Sequence, residues 1–569
     1  MKLPTLAQTE RWVPGVRLLH SYQRSWLRAD LVAGAVLAAI LVPQGMAYAE
    51  LAGLPAVTGL YTTIACLVGY ALLGPSRVLV LGPDSSISPL ILAAITPLLA
   101  GGGSATALAL AGMLALLVGL TEIGLGVGKL GFVADLLSKE VQVGYMNGLA
   151  VTIIVGQLPK LFGFSTHADS FLKEVRVFFE NLDETHATTL IVGLAVLAVL
   201  FLLPRAITRV PAVLVAVVGA TVVSAVFGLS DEGVATVGAL PQGVPSPTFP
   251  WTNANDVGPL LIAAVGITLV SLTDTIATAT SFAARRGEEV EPNQEMIGMG
   301  AANIAAGLFQ GFAISTSGSR TAVAEQSGAK SQLTGLVGAG LVSALLLFLN
   351  SLLSDLPQTV LAAVVIAAAT SLMDVGILRR YLHVRRSALA VSLVATAGVI
   401  LLGVLQGIVV AVVLAILMFF RRNWWPHGAV LGWVDDVEGW HDVSTQPGAK
   451  QIPGVVVYRW EAPLFFANAG AFRQQIRKLV REHRPRWVVL QCEAITDVDV
   501  TAAEMLEQLD IELNAAGTHL AFAELRSRLQ ELTLRYGLLE TLEPEHFYPT
   551  LEAALEEIQR QQAAPVRSR

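Results

Sequence analysis

The chain has 569 residues, of which 54% are hydrophobic and 14% charged, and its mean hydropathy is +0.62. Soluble globular domains carry about a quarter charged residues, so this composition excludes a single soluble domain and indicates a membrane protein. The net charge of −7 is a sum over two unlike regions, the apolar residues 31–420 and the charged residues 421–569. The whole-chain charge therefore gives no sign of nucleic-acid binding. The two cysteines, Cys66 and Cys492, fall in different regions and predict neither a disulfide nor a metal-ligand cluster.

The apolar region divides into runs long enough to cross a bilayer, which needs roughly 20 residues per helix. About fourteen runs lie near 31–50, 56–73, 81–99, 105–125, 139–159, 188–203, 211–228, 258–283, 295–313, 317–328, 333–351, 357–373, 388–403 and 405–420. They predict an α-helical polytopic membrane protein. Residues 1–30 lack the pattern of a cleavable signal peptide, and we expect them to form a cytoplasmic N-terminal segment.

The distribution of cations tests this count. With the N-terminus inside, the ends of the even-numbered runs carry Arg77, Lys129, Arg205, Arg209, Arg285, Arg286, Lys330, Arg379, Arg380, Arg385, Arg386, Arg421 and Arg422. The outside loop 229–256 carries no Lys or Arg. A miscounted run would place every later loop on the opposite side of the membrane. The pattern therefore predicts an even number of spans and a cytoplasmic C-terminal region.

Two of the runs are interrupted in the same way. In the third run, VLVLGPDSSISPLI (78–91), prolines and a glycine predict a short extended piece, followed by a helix with Asp84 or Ser85 as its N-cap. The third run of the second half, FAISTSGSRTAVAEQSG (312–328), is also short and begins with small, hydroxylated residues. Paired interrupted segments in two halves of a chain are typical of a transporter binding site.

Such a pair of half-helices suits an anion. If they enter from opposite sides, their N-termini offer free N–H groups and partial positive charge at one point near the midplane. Arg320 adds a full positive charge there, and an arginine within a membrane is costly and by default functional. The alternative is two proline kinks whose freed backbone groups are satisfied by serines.

A carboxylate, Asp274, lies in the middle of the eighth run, in VSLTDTIATATSF. The hydroxyls of Ser271, Thr275 and Thr278 share its helical face. This group could hold Na⁺, or the buried carboxylate could carry a proton. A third interpretation is an ion pair between Asp274 and Arg320.

Several of these motifs resemble the sulfate permease (SulP) family of anion transporters. LVPQGMAYAELAGLPAVTGLYT (41–62) is similar to the family signature, and GPDSSIS and SGSRTAVAEQSGAKSQLTG are similar to its third and tenth spans. The resemblance covers nearly the whole chain. It implies a seven-plus-seven inverted repeat with a core domain (spans 1–4 and 8–11) and a gate domain (spans 5–7 and 12–14), followed by a cytoplasmic α/β STAS domain.

The resemblance also implies site residues. The family's anion pocket falls on Gln44, Tyr48, Asp84, Ser85, Gly318, Ser319 and Arg320. Its coupling-ion position falls on Asp274 and Thr278. Members commonly have a neutral or aromatic residue in place of Asp84, whose carboxylate would repel an anion unless it is protonated or paired with Arg320. This departure favours proton coupling over simple exchange or channel-like behaviour.

The region after 422 alternates between strand and helix patterns, as in PGVVVYRW and RWVVLQCEAI, which predicts an α/β fold similar to STAS domains. We expect residues 31–422 to form the transport domain, 423–452 a linker, 453–560 the STAS domain and 561–569 a disordered tail. Related STAS proteins carry a phosphorylated serine where this chain has Thr501, although Thr501 is better explained as a helix N-cap.

The expected function is secondary active transport of an inorganic anion across a bacterial inner membrane by an elevator mechanism, and sulfate with H⁺ symport is favoured. Alternatives are Na⁺- or H⁺-coupled uptake of bicarbonate or a C4-dicarboxylate, and a non-transporting anion sensor. A nucleobase carrier of the same fold would lack the STAS region and Arg320. We expect a homodimer in lipid with no enzymatic activity, no cofactor beyond the coupling ion, no nucleic-acid partner, and no metal site unless Asp274 and Thr278 bind Na⁺.

Overall fold

A computed structural model of the chain describes residues 13–15, 21–99, 103–132, 138–166, 170–207 and 211–563. It contains two compact units, Met1–Ala415 and Ile416–Arg569. Much of the predicted N-terminal segment and of the predicted tail lies outside the described residues, and so does Arg209.

The first unit is helical. Its helices are α1 (Leu27–Leu51), α2 (Ala56–Leu73), α3 (Ser88–Ile95), α4 (Ser104–Val127), α5 (Lys139–Phe162), α6 (Phe171–Glu180), α7 (Ala187–Ala206), α8 (Ala212–Phe227), α9 (Ala254–Ala284), α10 (Pro292–Leu308), α11 (Gly318–Gln326), α12 (Leu333–Phe348), α13 (Gln358–Leu372), α14 (Val375–Val384), α15 (Arg386–Leu402) and α16 (Val404–Trp424), the last of which continues into the second unit. Among the described residues, seven helical segments are long and apolar enough to cross a membrane, and five shorter apolar helices accompany them. Twelve of the predicted runs contain one of these segments, and the other two, 295–313 and 317–328, contain α10 and α11. The count of fourteen crossings and the inverted repeat stay predictions.

Two helices, α6 and α14, do not correspond to any predicted run. Both carry charged residues along one face and apolar residues along the other, so neither reads as a uniformly apolar run. The N-terminus of α14 is capped by Asp374, whose Oδ1 accepts a hydrogen bond from the Ile377 N–H at 2.8 Å. Amphipathic helices of this kind suit the surface of a membrane.

The two interrupted segments meet through a short sheet. Strand β1 (Leu81–Gly82) pairs antiparallel with strand β2 (Ser315–Thr316), with Leu81 opposite Thr316 and Gly82 opposite Ser315. Each strand leads into a short helix, α3 after β1 and α11 after β2. The antiparallel pairing brings together two segments about 230 residues apart in the sequence.

The predicted N-cap of α3, Asp84 or Ser85, is wrong by two or three residues. The helix begins at Ser88, with Ile87 in the cap position and Pro89 in its first turn. Asp84 instead closes the preceding turn, because its Oδ1 accepts hydrogen bonds from the Ser86 N–H at 2.9 Å and the Ser86 hydroxyl at 2.8 Å. A local side-chain turn therefore competes successfully with helix at this point.

The second unit contains a six-stranded sheet in the order β4-β3-β5-β6-β7-β8. The strands are β3 (Gly428–Val434), β4 (Gly439–Asp442), β5 (Val455–Trp460), β6 (Trp487–Gln491), β7 (His519–Ala523) and β8 (Phe547–Tyr548). Strands β5 to β8 are parallel, and β3 and β4 form an antiparallel edge. The helices are α17 (Ala469–His483), α18 (Val500–Ala515), α19 (Ser527–Arg535), α20 (Leu538–Thr541) and α21 (Leu551–Ala563). Separate apolar cores cover the two faces of the sheet, which confirms the predicted α/β architecture.

The interval 423–452 is not the linker that the sequence suggests. It contains β3 and β4, and Leu431 of β3 pairs with Val457 of β5. The sequence pattern misses this hairpin because it forms the edge of the sheet, where all of β4 and four of the seven residues of β3 are only partly buried. At the other end, α21 continues to Ala563, beyond the predicted boundary at 560.

Candidate functional site

The N-termini of the two half-helices form the centre of the candidate site. Ser317 caps α11, with its hydroxyl accepting from the Arg320 N–H at 3.4 Å, and it lies 3.1 Å from the Ser319 hydroxyl. Gly318 and Ser319 are exposed, whereas Asp84 and Ser85 are buried. The structure therefore leaves backbone and hydroxyl donors of α11 accessible at the end of a helix, where an anion is favoured.

Arg320 joins the two half-helices. Its side chain is 1% exposed, its Nη1 donates to the Pro83 carbonyl at 2.7 Å, and its Nη2 lies 3.5 Å from Asp84 Oδ2. The guanidinium also lies against the backbone of Gly82, since a Cβ at that position would be 3.2 Å from Nη1. Its Nε has no hydrogen-bond partner among the described residues. The ion pair offsets the charge of Asp84, which explains how a carboxylate is accommodated at an anion site.

Helix α1 contributes the other predicted pocket residues. Gln44 and Tyr48 are four residues apart on α1 and so share one of its faces. Gln44 is half-buried, while Tyr48 is 4% exposed and its hydroxyl contacts the side chain of Ser85. The structure thus brings Tyr48 to the turn before α3.

Asp274 lies on α9 and does not pair with Arg320, whose carboxylate partner is Asp84. It accepts a hydrogen bond from Gln142 Nε2 of α5 at 3.1 Å. One turn further along α9, the Thr278 Oγ1 lies 3.8 Å from where a Cβ on Gly318 would stand. Of the two predicted coupling residues, Thr278 therefore borders the N-terminus of α11.

A direct hydrogen bond attaches α9 to the short sheet. The hydroxyls of Thr275 and Thr316 are 2.7 Å apart, and both residues are buried. Thr275 follows Asp274 in sequence, and Thr316 belongs to β2. This hydrogen bond therefore attaches the residue next to Asp274 to the strand that leads into α11.

The sequence analysis misses Glu122, a fully buried carboxyl in α4. Its Oε1 lies 2.9 Å from the Ser271 hydroxyl, and its Oε2 accepts from Asn303 Nδ2 at 2.8 Å. The amide oxygen of Asn303 accepts from the Ile314 N–H at 2.9 Å, immediately before β2. Glu122 thus connects α4, α9 and α10 to the segment that leads into the site. An acidic residue inside an apolar run is itself the signal that could have identified it.

The hydrogen-bond partners of Glu122 and the lack of a described cation beside it bear on its protonation state. The single hydroxyl proton of Ser271 has two acceptors in reach, Glu122 Oε1 at 2.9 Å and the Thr268 carbonyl at 3.2 Å. Both contacts can be hydrogen bonds if Ser271 donates a bifurcated bond to the two acceptors, or if a protonated Glu122 donates to Ser271 and Ser271 donates to Thr268. No described cation pairs with Glu122, and an isolated buried charge is very costly. The geometry therefore fits a neutral, protonated Glu122.

A close helix contact brings the members of this network together. A Cβ on Gly119 of α4 would lie 2.6 Å from the Gly300 carbonyl oxygen of α10, and one on Gly300 would lie 2.5 Å from that of Gly119. Only glycine permits this approach. Glu122 and Asn303 are three residues further along each helix, so the glycine contact sets their hydrogen bond.

In the second unit, Thr501 is exposed in the first turn of α18. It is not the N-cap: Asp499 takes that role, and its Oδ1 accepts from the Ala502 N–H at 2.8 Å. The expectation that Thr501 caps the helix is wrong, because Asp499 occupies the position that precedes the first helical residue. Phosphorylation of Thr501 stays a prediction.

Comparisons with known proteins agree with this architecture. The sulfate permease family matches residues 27–396, and the STAS domain matches residues 446–554. The chain is 42% identical to a Mycobacterium tuberculosis protein named "Probable sulfate transporter", over 98% of this chain and 100% of that protein. It is 28% identical to the Arabidopsis thaliana chloroplastic sulfate transporter 4.1, over 95% of this chain and 82% of that protein.

A solved structure shows the same fold. Murine Solute Carrier 26 family member A9, an anion transporter in the inward-facing state, superposes with a TM-score of 0.88 at 24% identity, over 98% of this chain and 96% of that chain. The family match, the apolar helices and the α/β unit together identify the kind of protein. The chain is a multi-pass membrane transporter of the sulfate permease family with a C-terminal STAS domain.

Proposed function

We propose that this protein is a secondary active transporter that moves sulfate into the cell together with H⁺. The observation that carries the proposal is the meeting of two half-helix N-termini at the β1–β2 pair, next to an Arg320–Asp84 ion pair and the carboxyl of Asp274. The ion pair has no net charge, so attraction for an anion comes from the helix N-termini and their hydroxyls. The relatives named as sulfate transporters support sulfate as the substrate.

We infer the identity of the coupling ion, H⁺ and not Na⁺, from the surroundings of Asp274. Gln142 Nε2 donates a hydrogen bond to its carboxylate, the Ser86 side chain also contacts it, and Arg320 is paired with Asp84 instead. A Na⁺ site needs several oxygen ligands around the ion, whereas an amide N–H points at the carboxylate here. A proton on Asp274 neutralises the carboxyl without further ligands and lowers the repulsion between a dianion and the site.

The movement that we propose is an elevator motion of the core (spans 1–4 and 8–11) against the gate (spans 5–7 and 12–14). Helix α5 belongs to the predicted gate, and it contacts the predicted core at two polar points. Gln142 binds Asp274, and Lys160 forms an ion pair with Glu50 of α1 at 3.1 Å. Sliding of the core must break both contacts, so the state of Asp274 can influence the motion directly.

Cross-linking tests the motion. In the variant E50C/K160C, a short bifunctional thiol reagent should arrest transport, and the uncross-linked variant should remain active. The native Cys66 and Cys492 are buried and serve as an internal control for unwanted labelling. Full transport by the cross-linked protein would contradict an elevator motion across this contact.

Purified protein in proteoliposomes tests the substrate and the coupling ion. Radiolabelled sulfate should accumulate when the outside is made acidic, and an imposed Na⁺ gradient alone should have no effect. Unlabelled bicarbonate, fumarate and chloride then compete in the same assay. Accumulation driven only by Na⁺ would make Asp274 and Thr278 a sodium site and favour bicarbonate uptake, while strong competition by fumarate would favour dicarboxylate transport. Binding without uptake would indicate an anion sensor.

A further inference from the structure

Three metal-ligating side chains converge at one edge of the sheet in the second unit. His519 is the first residue of β7, His546 immediately precedes β8, and Glu543 lies one turn before His546. One ligand atom from each residue lies within 4.8 Å of the others. The sequence pattern does not reveal this cluster, because His519 lies more than twenty residues before Glu543 and His546 and only the pairing of β7 with β8 brings them together.

We propose that His519, Glu543 and His546 form a binding site for a divalent transition-metal ion of the zinc class. Two imidazoles and one carboxylate are a donor set that Zn²⁺ prefers, with open positions left for water. His546 Nε2 and Glu543 Oε2 are already 3.0 Å apart. Bonds of about 2.0–2.2 Å place tetrahedral ligands about 3.4 Å from one another, so ligand atoms within 4.8 Å need only a modest contraction around an ion.

A ring nitrogen of His519 that lacks a hydrogen-bond partner is an independent sign of a ligand. Its Nδ1 is buried, and it has no hydrogen-bond partner among the described residues. A buried polar atom without a partner is destabilising, and an ion ligated through Nδ1 would supply that partner. The backbone of His519 is fixed by a hydrogen bond from its N–H to the Arg486 carbonyl at 2.8 Å, so the imidazole is held near the cluster.

The surroundings orient both rings and favour a cation. Trp487 packs against His519 and His546, with ring centroids 4.9 Å and 4.7 Å away. The His546 ring also lies close to the backbone of Leu520. Asp510 adds a nearby carboxylate that interacts electrostatically with His519 and Glu543. An ion at this position would cross-link the segment that holds Glu543 and His546 to His519 of β7.

Metal titration of the purified full-length chain, stripped with a chelator, tests the site. With ZnCl₂, calorimetry should give one ion per chain, and CoCl₂ should produce the visible absorption bands of a tetrahedral site. His519→Ala and His546→Ala should each weaken Zn²⁺ binding by at least about tenfold. His483→Ala is the matched control, because His483 is an exposed histidine of the same unit, and it should bind as the unchanged chain does.

A second pair of variants guards against misfolding of the histidine variants. Glu543→Gln should weaken binding, and Glu545→Gln should not, although both acids are exposed and neither change removes a core side chain. Zn²⁺ should also raise the Tm of the unchanged chain and of Glu545→Gln, but much less that of Glu543→Gln. The proposal is overturned if no stoichiometric binding occurs below about 100 μM Zn²⁺, or if binding survives in a folded His519→Ala/His546→Ala protein.

Discussion

Arg320 and Asp84 face each other across the two half-helices, with the guanidinium Nη2 3.5 Å from the carboxylate Oδ2. Arg320 follows β2 and Asp84 follows β1, so the pair connects segments that are distant in sequence. Because both side chains are largely removed from solvent, neither charge is tolerated alone. The pair therefore fixes the spacing of the helix ends that we propose to hold the anion.

Removal of the Arg320 charge should weaken anion binding. Arg320→Ala leaves Asp84 buried without its cation and deprives the site of positive charge, so the loss should be on the order of 2–5 kcal/mol in binding free energy. Calorimetric titration with sulfate measures it. Arg320→Ala/Asp84→Asn should recover part of the loss, because the uncompensated carboxylate is gone. Unchanged affinity in a folded Arg320→Ala protein would refute the role of Arg320.

A methyl group at position 82 should disturb the same pair. In Gly82→Ala, the new Cβ would stand 3.2 Å from Arg320 Nη1, so the guanidinium must move away from the Pro83 carbonyl. We expect sulfate binding to weaken by about 1–2 kcal/mol, roughly 5- to 30-fold in Kd. Gly340→Ala is the control, since a Cβ at that position meets no atom within 4 Å. Equal affinities in the two variants would show that the position of the Arg320 guanidinium does not affect sulfate binding.

Asp274→Asn should uncouple transport from the proton gradient. The amide keeps the shape of a protonated carboxyl but cannot release a proton, so an inward gradient should no longer drive sulfate accumulation. Downhill exchange of labelled for unlabelled sulfate should remain, and it serves as the control for folding. Gradient-driven accumulation at the level of the unchanged protein would show that another group carries the proton.

Glu122 should tolerate glutamine better than alanine. Glu122→Gln keeps a neutral side chain able to donate to Ser271 and accept from Asn303, so thermal stability and sulfate uptake should stay close to normal. Glu122→Ala leaves the buried Asn303 Nδ2 without its acceptor, at about 1–3 kcal/mol, and removes one of the two contacts of the Ser271 hydroxyl, so it should lower both Tm and uptake. A Glu122→Gln protein as impaired as Glu122→Ala would mean that the residue must ionise.

The second unit should be dispensable for the transport step. All of the predicted site residues apart from Thr501 precede α16, so a chain ending after Trp424 should retain measurable sulfate uptake in proteoliposomes. The rate and the oligomeric state should change if this unit regulates transport and supports a homodimer, as we propose. Complete loss of uptake by a monodisperse truncated protein would place part of the mechanism in the STAS domain.

The sequence by itself determined the features that depend on composition and local pattern. Apolar runs mark the helices because burying backbone in lipid requires internal hydrogen bonds over a fixed length. Pro83, Pro89 and the hydroxylated residues near 315–319 mark the two breaks for the same local reason. The resemblance of the signature motifs then supplied the family, which the comparisons confirm.

Only the tertiary structure decided which charges meet. With Leu81 paired to Thr316, Arg320 forms its ion pair with Asp84, and Asp274 accepts a hydrogen bond from Gln142. The spacing of these residues in the sequence could not predict which of them pair. The edge hairpin β3–β4 and the helix α14 also escaped prediction, since partly buried or amphipathic segments carry a weak periodic signal. Burial of Glu122 and convergence of His519 with His546 arise from contacts between distant segments, and such contacts depend on packing that local pattern does not encode.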